Sequence, residues 1–289
     1  MPQGWLLIED NGPWGSKSAA RNPRLPAPLQ EALIARKMRT QLIRRHRPPR
    51  GALVRTLMVA WTGRGGSWLE TVETDDPVAL ATTVDLDAVA AGRRPHVGEL
   101  ATEPVVLVCT HGGVDPCCAK FGRPVAAGLA DAYGPLVWEA SHVGLCRFAT
   151  NIVCLPSGVV YGRTDPRLAV RQVAELLAGR IVPDGLRGQA GVPRAVQVAE
   201  LAVRHHVDRW ELDALTLLDH RAAGGEHRVT LAAVGRVFDV TLAELPGTAR
   251  AKGCGVSDLV TYDELRVLGV SEHSIPRPYG YVATPGVAG

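Results

Sequence analysis

Val105-Val106-Leu107-Val108 is an unbroken apolar, β-branched run, the pattern of a strand buried on both faces. The loop CTHGGVDPCC follows and leads into a helix over about Pro124–Tyr133, with Val125 and Leu129 one turn apart and Gly134 ending the pattern. Leu136–Ala140 reads as a second strand. Asn151–Leu155 and Val159–Gly162 read as a hairpin across Pro156-Ser157-Gly158. Asp165-Pro166 opens a helix whose apolar face is Ala169, Val173, Leu176 and Leu177. The order β-α-β-β-β-α places the chain in the α/β class.

The first hundred residues repeat that order as a pattern, without repeating its residues. Trp5–Ile8 is a strand, and Pro28–Met38 a helix with Leu29, Leu33 and Ile34 on one face. Leu42-Ile43, Leu57–Trp61 and Trp68–Val72 are strands, and Asp76-Pro77 opens a helix towards Ala91. PDGLRGQAGVP, after Val182, reads as a linker. Beyond it come a helix over Arg194–His206, another around Trp210–Asp219, and a hairpin turning at Gly235-Arg236 between Val229–Val234 and Val237–Leu242. The Pro/Gly-rich tail HSIPRPYGYVATPGVAG reads as irregular. The expected organisation is a lobe over 1–100, a central domain over 101–185 and a small α+β region over 190–289.

Composition narrows the function classes. With 46% apolar and 21% charged residues over 289 positions, the chain is an ordinary globular protein and not a disordered one. A net charge of +3 is too small to point to nucleic acid. MPQGWLLIEDNGPWG lacks the basic flank of a signal peptide, and no apolar run is long enough to span a membrane. A cytoplasmic, non-membrane protein is therefore expected. Lysine occurs only at 17, 37, 120 and 252, and richness in Ala, Gly and Arg matches a GC-rich bacterial codon bias.

Six cysteines in a reducing compartment argue for metal more than for disulfides. Cys109 stands at the carboxyl end of one central strand and His142 just past the end of the next, where open α/β sheets place their ligands. Cys109-x8-Cys118 and His142-x3-Cys146 make a set of three thiolates and one imidazole, which suits an iron–sulfur cluster or tetrahedral zinc. Structural zinc knuckles place ligands two to four residues apart in both halves, so the long first spacing favours iron. Cys117 is an alternative to Cys118. Cys154, inside a strand, reads as a core residue, and Cys254 as a free thiol. His111 reads either as a donor to a ligand sulfur or as a turn residue, and Asp115 as a cap. The run Arg44, Arg45, His46, Arg47 and Arg50 reads as a solvated face, with a docking surface for an acidic redox partner as the alternative.

VCTHGGVDPCCAKFGRPVAAGLA and WEASHVGLCRFATNIVCLPSGVVYGR resemble the sucrase/ferredoxin-like family, as does the opening WLLIEDNGPWGSKS. The resemblance covers most of residues 4–180. It implies a thioredoxin-like 2Fe–2S ferredoxin domain, preceded by a degenerate thioredoxin-like lobe without ligands. Cys109, Cys118 and His142 fall on the family's ligand positions, with Cys118 preferred to Cys117 because it lies three residues after Asp115. The family pattern His-x-Gly-Gly-His is not kept, since Leu145 and Cys146 stand where glycine and histidine are expected. A cluster held by three cysteines and one histidine is thus implied. The extra thiolate charge should lower the reduction potential, and a titratable His142 would couple electron to proton transfer.

The expected function is that of an electron carrier, not an enzyme, serving redox partner proteins whose identity stays open. A thiol oxidoreductase of thioredoxin type would show Cys-x-x-Cys, which is absent. A sugar hydrolase would need two carboxylates flanking a bond, and no such pair stands out. A zinc-stabilised binding module is the remaining alternative.

Overall fold

Burial on both faces of Val105–Val108 is met by a sheet of ten strands, mixed in direction and curled on itself. The computed structural model describes residues 3–16, 18–47, 53–64, 66–144, 148–251 and 258–274. The first half contributes β1 (Gly4–Glu9), α1 (Ala27–Ala35), β2 (Arg39–Arg45), β3 (Arg55–Trp61), β4 (Trp68–Thr74), α2 (Pro77–Ala81), α3 (Leu86–Ala90) and β5 (Glu99–Leu100). The second contributes β6 (Val105–Cys109), α4 (Pro116–Tyr133), β7 (Val137–Ala140), β8 (Asn151–Leu155), β9 (Val159–Gly162), α5 (Pro166–Leu177) and β10 (Leu186–Gln189).

The strand order is β10-β9-β8-β6-β7-β2-β1-β3-β4-β5. Within each half the first two strands are parallel, the third is antiparallel to the first, and the fourth and fifth continue antiparallel. The halves are therefore two copies of one topology. They do not form separate sheets: β2 and β7 join them antiparallel, pairing Ile43 with Ala140, Arg44 with Glu139 and Arg45 with Trp138.

Alternation along the strands sorts the core into layers. Leu6, Ile8, Leu42 and Leu57 face α1, α2 and α3, while Val106, Val108 and Ile152 face α4 and α5. On the opposite, concave face Trp5, Leu7 and Met58 of one half lie in the same cluster as Leu107, Trp138 and Leu155 of the other, and Cys118 at the start of α4 joins them.

Several elements differ from the sequence expectation, each for a local reason. α4 begins at Pro116, one turn after His111, and runs through Pro124 instead of starting there. Pro124 lacks an N–H for Lys120, but the other turns of this 18-residue helix are held by packing against β6 and α5. Gly122 is what lets α4 lie so low, because a Cβ there would stand 2.1 Å from the Cys109 carbonyl oxygen. The single helix expected after Asp76 is two short ones, each capped by an aspartate, Asp76 and Asp85. The apparent linker after Val182 contains β10, an edge strand paired with β9 through an irregular register between Leu186 and Gly188.

In the C-terminal region, α6 (Arg194–Val207) packs Val196, Ala199 and Val203 on an antiparallel sheet of β11 (Thr216–Ala223), β12 (Glu226–Ala233), β13 (Arg236–Leu245) and β16 (Glu264–Ser274). β14 (Ala249–Ala251) and β15 (Leu259–Thr261) form a separate pair. The expected helix around Trp210–Asp219 is instead a loop leading into β11. Arg204 donates to the carbonyls of Arg209, Glu211 and Leu212, and Ile181 N–H donates to Trp210 O, so that loop is fixed without helical bonds. The β12–β13 turn is centred on Val234 and Gly235, both at positive φ, one residue earlier than the expected position. The tail beyond Ser274 lies outside the described residues. No described helix is long and apolar enough to cross a membrane.

Asp165 caps α5 with bonds from Arg167 N and Leu168 N at 2.8 and 2.9 Å. Asp165→Ala is expected to lower stability by about 1 kcal/mol, read as a fall in the urea midpoint with an unchanged slope.

Candidate metal centre

The parallel pairing of β6 with β7 sets Cys109 beside Ala140, so both chains leave the sheet on one edge. One turn forward, α4 opens and returns Cys118 over the end of β6, while the segment after β7 delivers His142. The ligating atoms of Cys109, Cys118 and His142 all lie within 4.8 Å of one another. Cys109 is 0% and Cys118 1% exposed, and His142 is partly open. The Cys109 thiol is held well below its ordinary range. The Cys118 side chain is the main cause, burial opposes it, and His142 with the backbone N–H groups of Val143 and His111 adds to the effect.

His111 fastens the two ligand loops to the first half. Its Nδ1 accepts from the His142 backbone N–H at 3.2 Å, so the ring proton sits on Nε2, which donates to Gly15 O at 2.8 Å. Trp14 meets its ring edge-on, with centroids 5.7 Å apart. The His111 ring is therefore a bridge between backbones, while its own backbone N–H donates to the Cys109 sulfur. Ser141 performs a similar service beyond the end of β7. Its N–H donates to Leu42 O at 2.8 Å, its hydroxyl accepts from Leu42 N at 3.0 Å, and the same hydroxyl donates to Gln41 Oε1 at 2.8 Å.

On the outer face, Glu139 collects Arg44 (2.8 Å), His46 (2.9 Å) and the Thr110 hydroxyl (2.9 Å). Burial, the largest single influence, pushes this carboxyl up, but Arg44, His46 and Thr110 together outweigh it and hold it below the usual range. Arg44 also lies 4.4 Å from the Trp14 ring centre, Arg45 stacks on Trp138 at 3.7 Å, and Arg47 pairs with Asp131 at 3.1 Å. The basic run is thus not a free solvated face; within its described residues it is spent on joining β2 to β7 and α4. Arg50 lies outside the described residues.

Cys117 is buried and disulfide-bonded, and it is not one of the three residues whose ligand atoms converge. Cys146 and Cys254 lie outside the described residues. Cys154 is buried in β8, where desolvation pushes its thiol up to about 12, so it is chemically inert. Asp115 occupies the N-cap position of α4 without a capping bond to the backbone. Reading the sequence missed Gln41, Ser141 and Gly15, whose roles follow from the β2–β7 join and carry no local signal.

Residues 2–188 match the family model described as sucrase/ferredoxin-like. No curated protein and no solved structure matches the chain.

Two outcomes test this geometry. His111→Ala strands the His142 N–H and the Gly15 carbonyl, and is expected to lower the stability of the reduced, metal-free protein by about 1–3 kcal/mol in urea titrations. Glu139 has a lower pKa folded than unfolded, so its stabilisation is complete above the ordinary glutamate range and is lost as pH falls through the folded value. Glu139→Gln is therefore expected to be less stable than wild type near neutrality and to show a flatter acid limb in urea midpoints measured against pH.

Proposed function

The chain belongs to the sucrase/ferredoxin-like family, and from that premise we propose that it is a one-electron carrier built around a 2Fe–2S cluster. Cys109, Cys118 and His142 would hold the cluster, with Cys146 as the fourth ligand. The observation that carries this reading is the convergence of two thiols and an imidazole at one dry sheet edge. The donor set fits the group chemically: it is soft, it contains no carboxylate, and Cys109 is already biased towards the thiolate that iron requires. When bound, the cluster supplies reversible one-electron chemistry. The chain's own part is to exclude water with the concave core, to donate N–H bonds from Val143 and His111 to the Cys109 sulfur, and to fix the imidazole loop through His111 and Ser141.

The repeated strand order supports a thioredoxin-like reading of each half, with ligands retained only in the second. Electrons would come from and go to redox proteins that dock beside the partly open His142. A second reading, a structural zinc site, draws on the compactness of the three donor atoms, which suits a single tetrahedral ion.

Anaerobic purification decides between them. The expected protein is red-brown, contains iron and inorganic sulfide in equal amounts, and gives a rhombic EPR signal on reduction. Cys118→Ser and His142→Ala are expected to lose or alter that signal, whereas Cys117→Ser and Cys154→Ser keep it. A colourless protein carrying one zinc per chain would replace the first reading with the second.

A further inference from the structure

β2 extends past the end of β7. Carried on from the Ile43–Ala140 pair, the antiparallel register sets Gln41 opposite His142 and Arg39 opposite Gly144. Contacts agree with that placement: Gln41 Nε2 lies 3.4 Å from His142 O, and a Cβ on Gly144 would stand 3.5 Å from Arg39 Nη2. Arg39, Gln41 and Ile43 alternate onto one face of β2, and Ile43 shares the concave cluster with Cys109 and Cys118. The guanidinium of Arg39 therefore lies against the second ligand loop, on the side of the sheet where the thiols converge.

Among the described residues, no counter-charge is paired with Arg39. Its Nε is sealed from solvent and makes no hydrogen bond. Among the described residues it has no carboxylate partner, in contrast to Arg44 with Glu139 and Arg94 with Glu70. Arg39 as a whole is half-buried, and a cation whose Nε is held out of water without a counter-charge is costly. Burial lowers the Arg39 pKa, and the charge of Cys109 acts against that lowering. The anion that this guanidinium lacks is one that the site itself generates, because each cysteine loses its proton on binding metal.

We propose that Arg39, supplied by the ligand-free first half, is the counter-charge of the metal centre and holds its reduced state within reach of its electron donor. This rests on the iron–sulfur reading above. A one-electron donor protein adds one electron to the centre, no bond at Arg39 is made or broken, and the fixed cation offsets the added negative charge through a dry, weakly screening core. Arg39 is a positioning residue for charge and not a ligand. The arrangement also gives the first half a role that survives the absence of any cysteine in it.

The test compares wild type, Arg39→Lys and Arg39→Met as full-length protein purified without oxygen, with iron and sulfide content, EPR and midpoint potential as readouts. Methionine keeps an unbranched apolar stem without the charge. The expected result is a wild-type potential for Arg39→Lys and a lower one for Arg39→Met, both at wild-type iron content. If Arg39→Met fails to retain iron while Arg39→Lys retains it with an unchanged potential, charge is again what the site requires. An unchanged potential in iron-loaded Arg39→Met, or an equal shift in both variants, overturns the proposal. Wild-type protein without iron and sulfide would instead remove the iron–sulfur reading on which it stands.

Discussion

The antiparallel seam between β2 and β7 is the constraint on which the rest depends. Its three paired residues turn two copies of one topology into a single sheet with a shared concave core. The seam also sets where the second ligand loop begins. Once β7 ends at Ala140, Ser141 keeps bonding to Leu42 through both its backbone and its hydroxyl, so the chain is guided one residue further before His142 turns into the site. A slip of one residue would exchange the faces of β7, turning Trp138 outward and Glu139 into the apolar layer. Both changes are prohibitive, which is why the register is firm enough to place an imidazole.

Around the thiols, the structure manages charge by layers. Glu139 lies on the outer face with an arginine, a histidine and a hydroxyl as partners, so its carboxylate is satisfied away from the sulfurs. On the concave face the sulfur of Cys109 meets backbone N–H groups, which bring partial positive charge without any side-chain entropy. Among the described residues, the group that could hold a metal is Cys109, Cys118 and His142, with no acidic side chain in it. A soft donor set of two thiols and an imidazole would discriminate against the hard cations that are abundant in cells.

The parts of this design that could be read from the sequence are those whose cause is local. Val105–Val108 announces a buried strand because both its faces are apolar, and Asp165-Pro166 announces a helix start because cap and first turn are adjacent. Cysteine and histidine at strand ends stand out because few residue types carry that chemistry. Where the cause is distant, the pattern misleads. Pro124 looks like a helix start, yet the pressure that carries α4 back to Pro116 comes from β6, against which Gly122 lies. β10 has only half-buried residues and an irregular register, so its identity depends on β9 and not on its own periodicity. The leucines near Trp210 suggest a helix, whereas Arg204 holds that stretch as a loop from outside. Arg39 is the extreme case: in the chain it is one basic residue among many, and only the seam makes it a neighbour of Gly144.

Two halves of one topology carry one Cys/Cys/His group among the described residues. Topologically, the counterpart of Cys109 is Glu9, the last residue of the corresponding first strand. Because β2 and β7 run in opposite directions, the carboxyl edges of the two halves point to opposite ends of the sheet. Glu9 pairs with Ile43, which pairs in turn with Ala140, so it stands in line with Cys109 across the sheet, and its carboxylate accepts the Thr56 N–H at 2.8 Å and is used in holding β3. What the first half brings to the Cys109, Cys118 and His142 group is the amino end of β2, through Gln41, and the loop after β1, through the bond from His111 to Gly15. The division between the halves is thus one of side chains and not of topology: the second half carries the Cys109, Cys118 and His142 group, and the first shares the core that covers it.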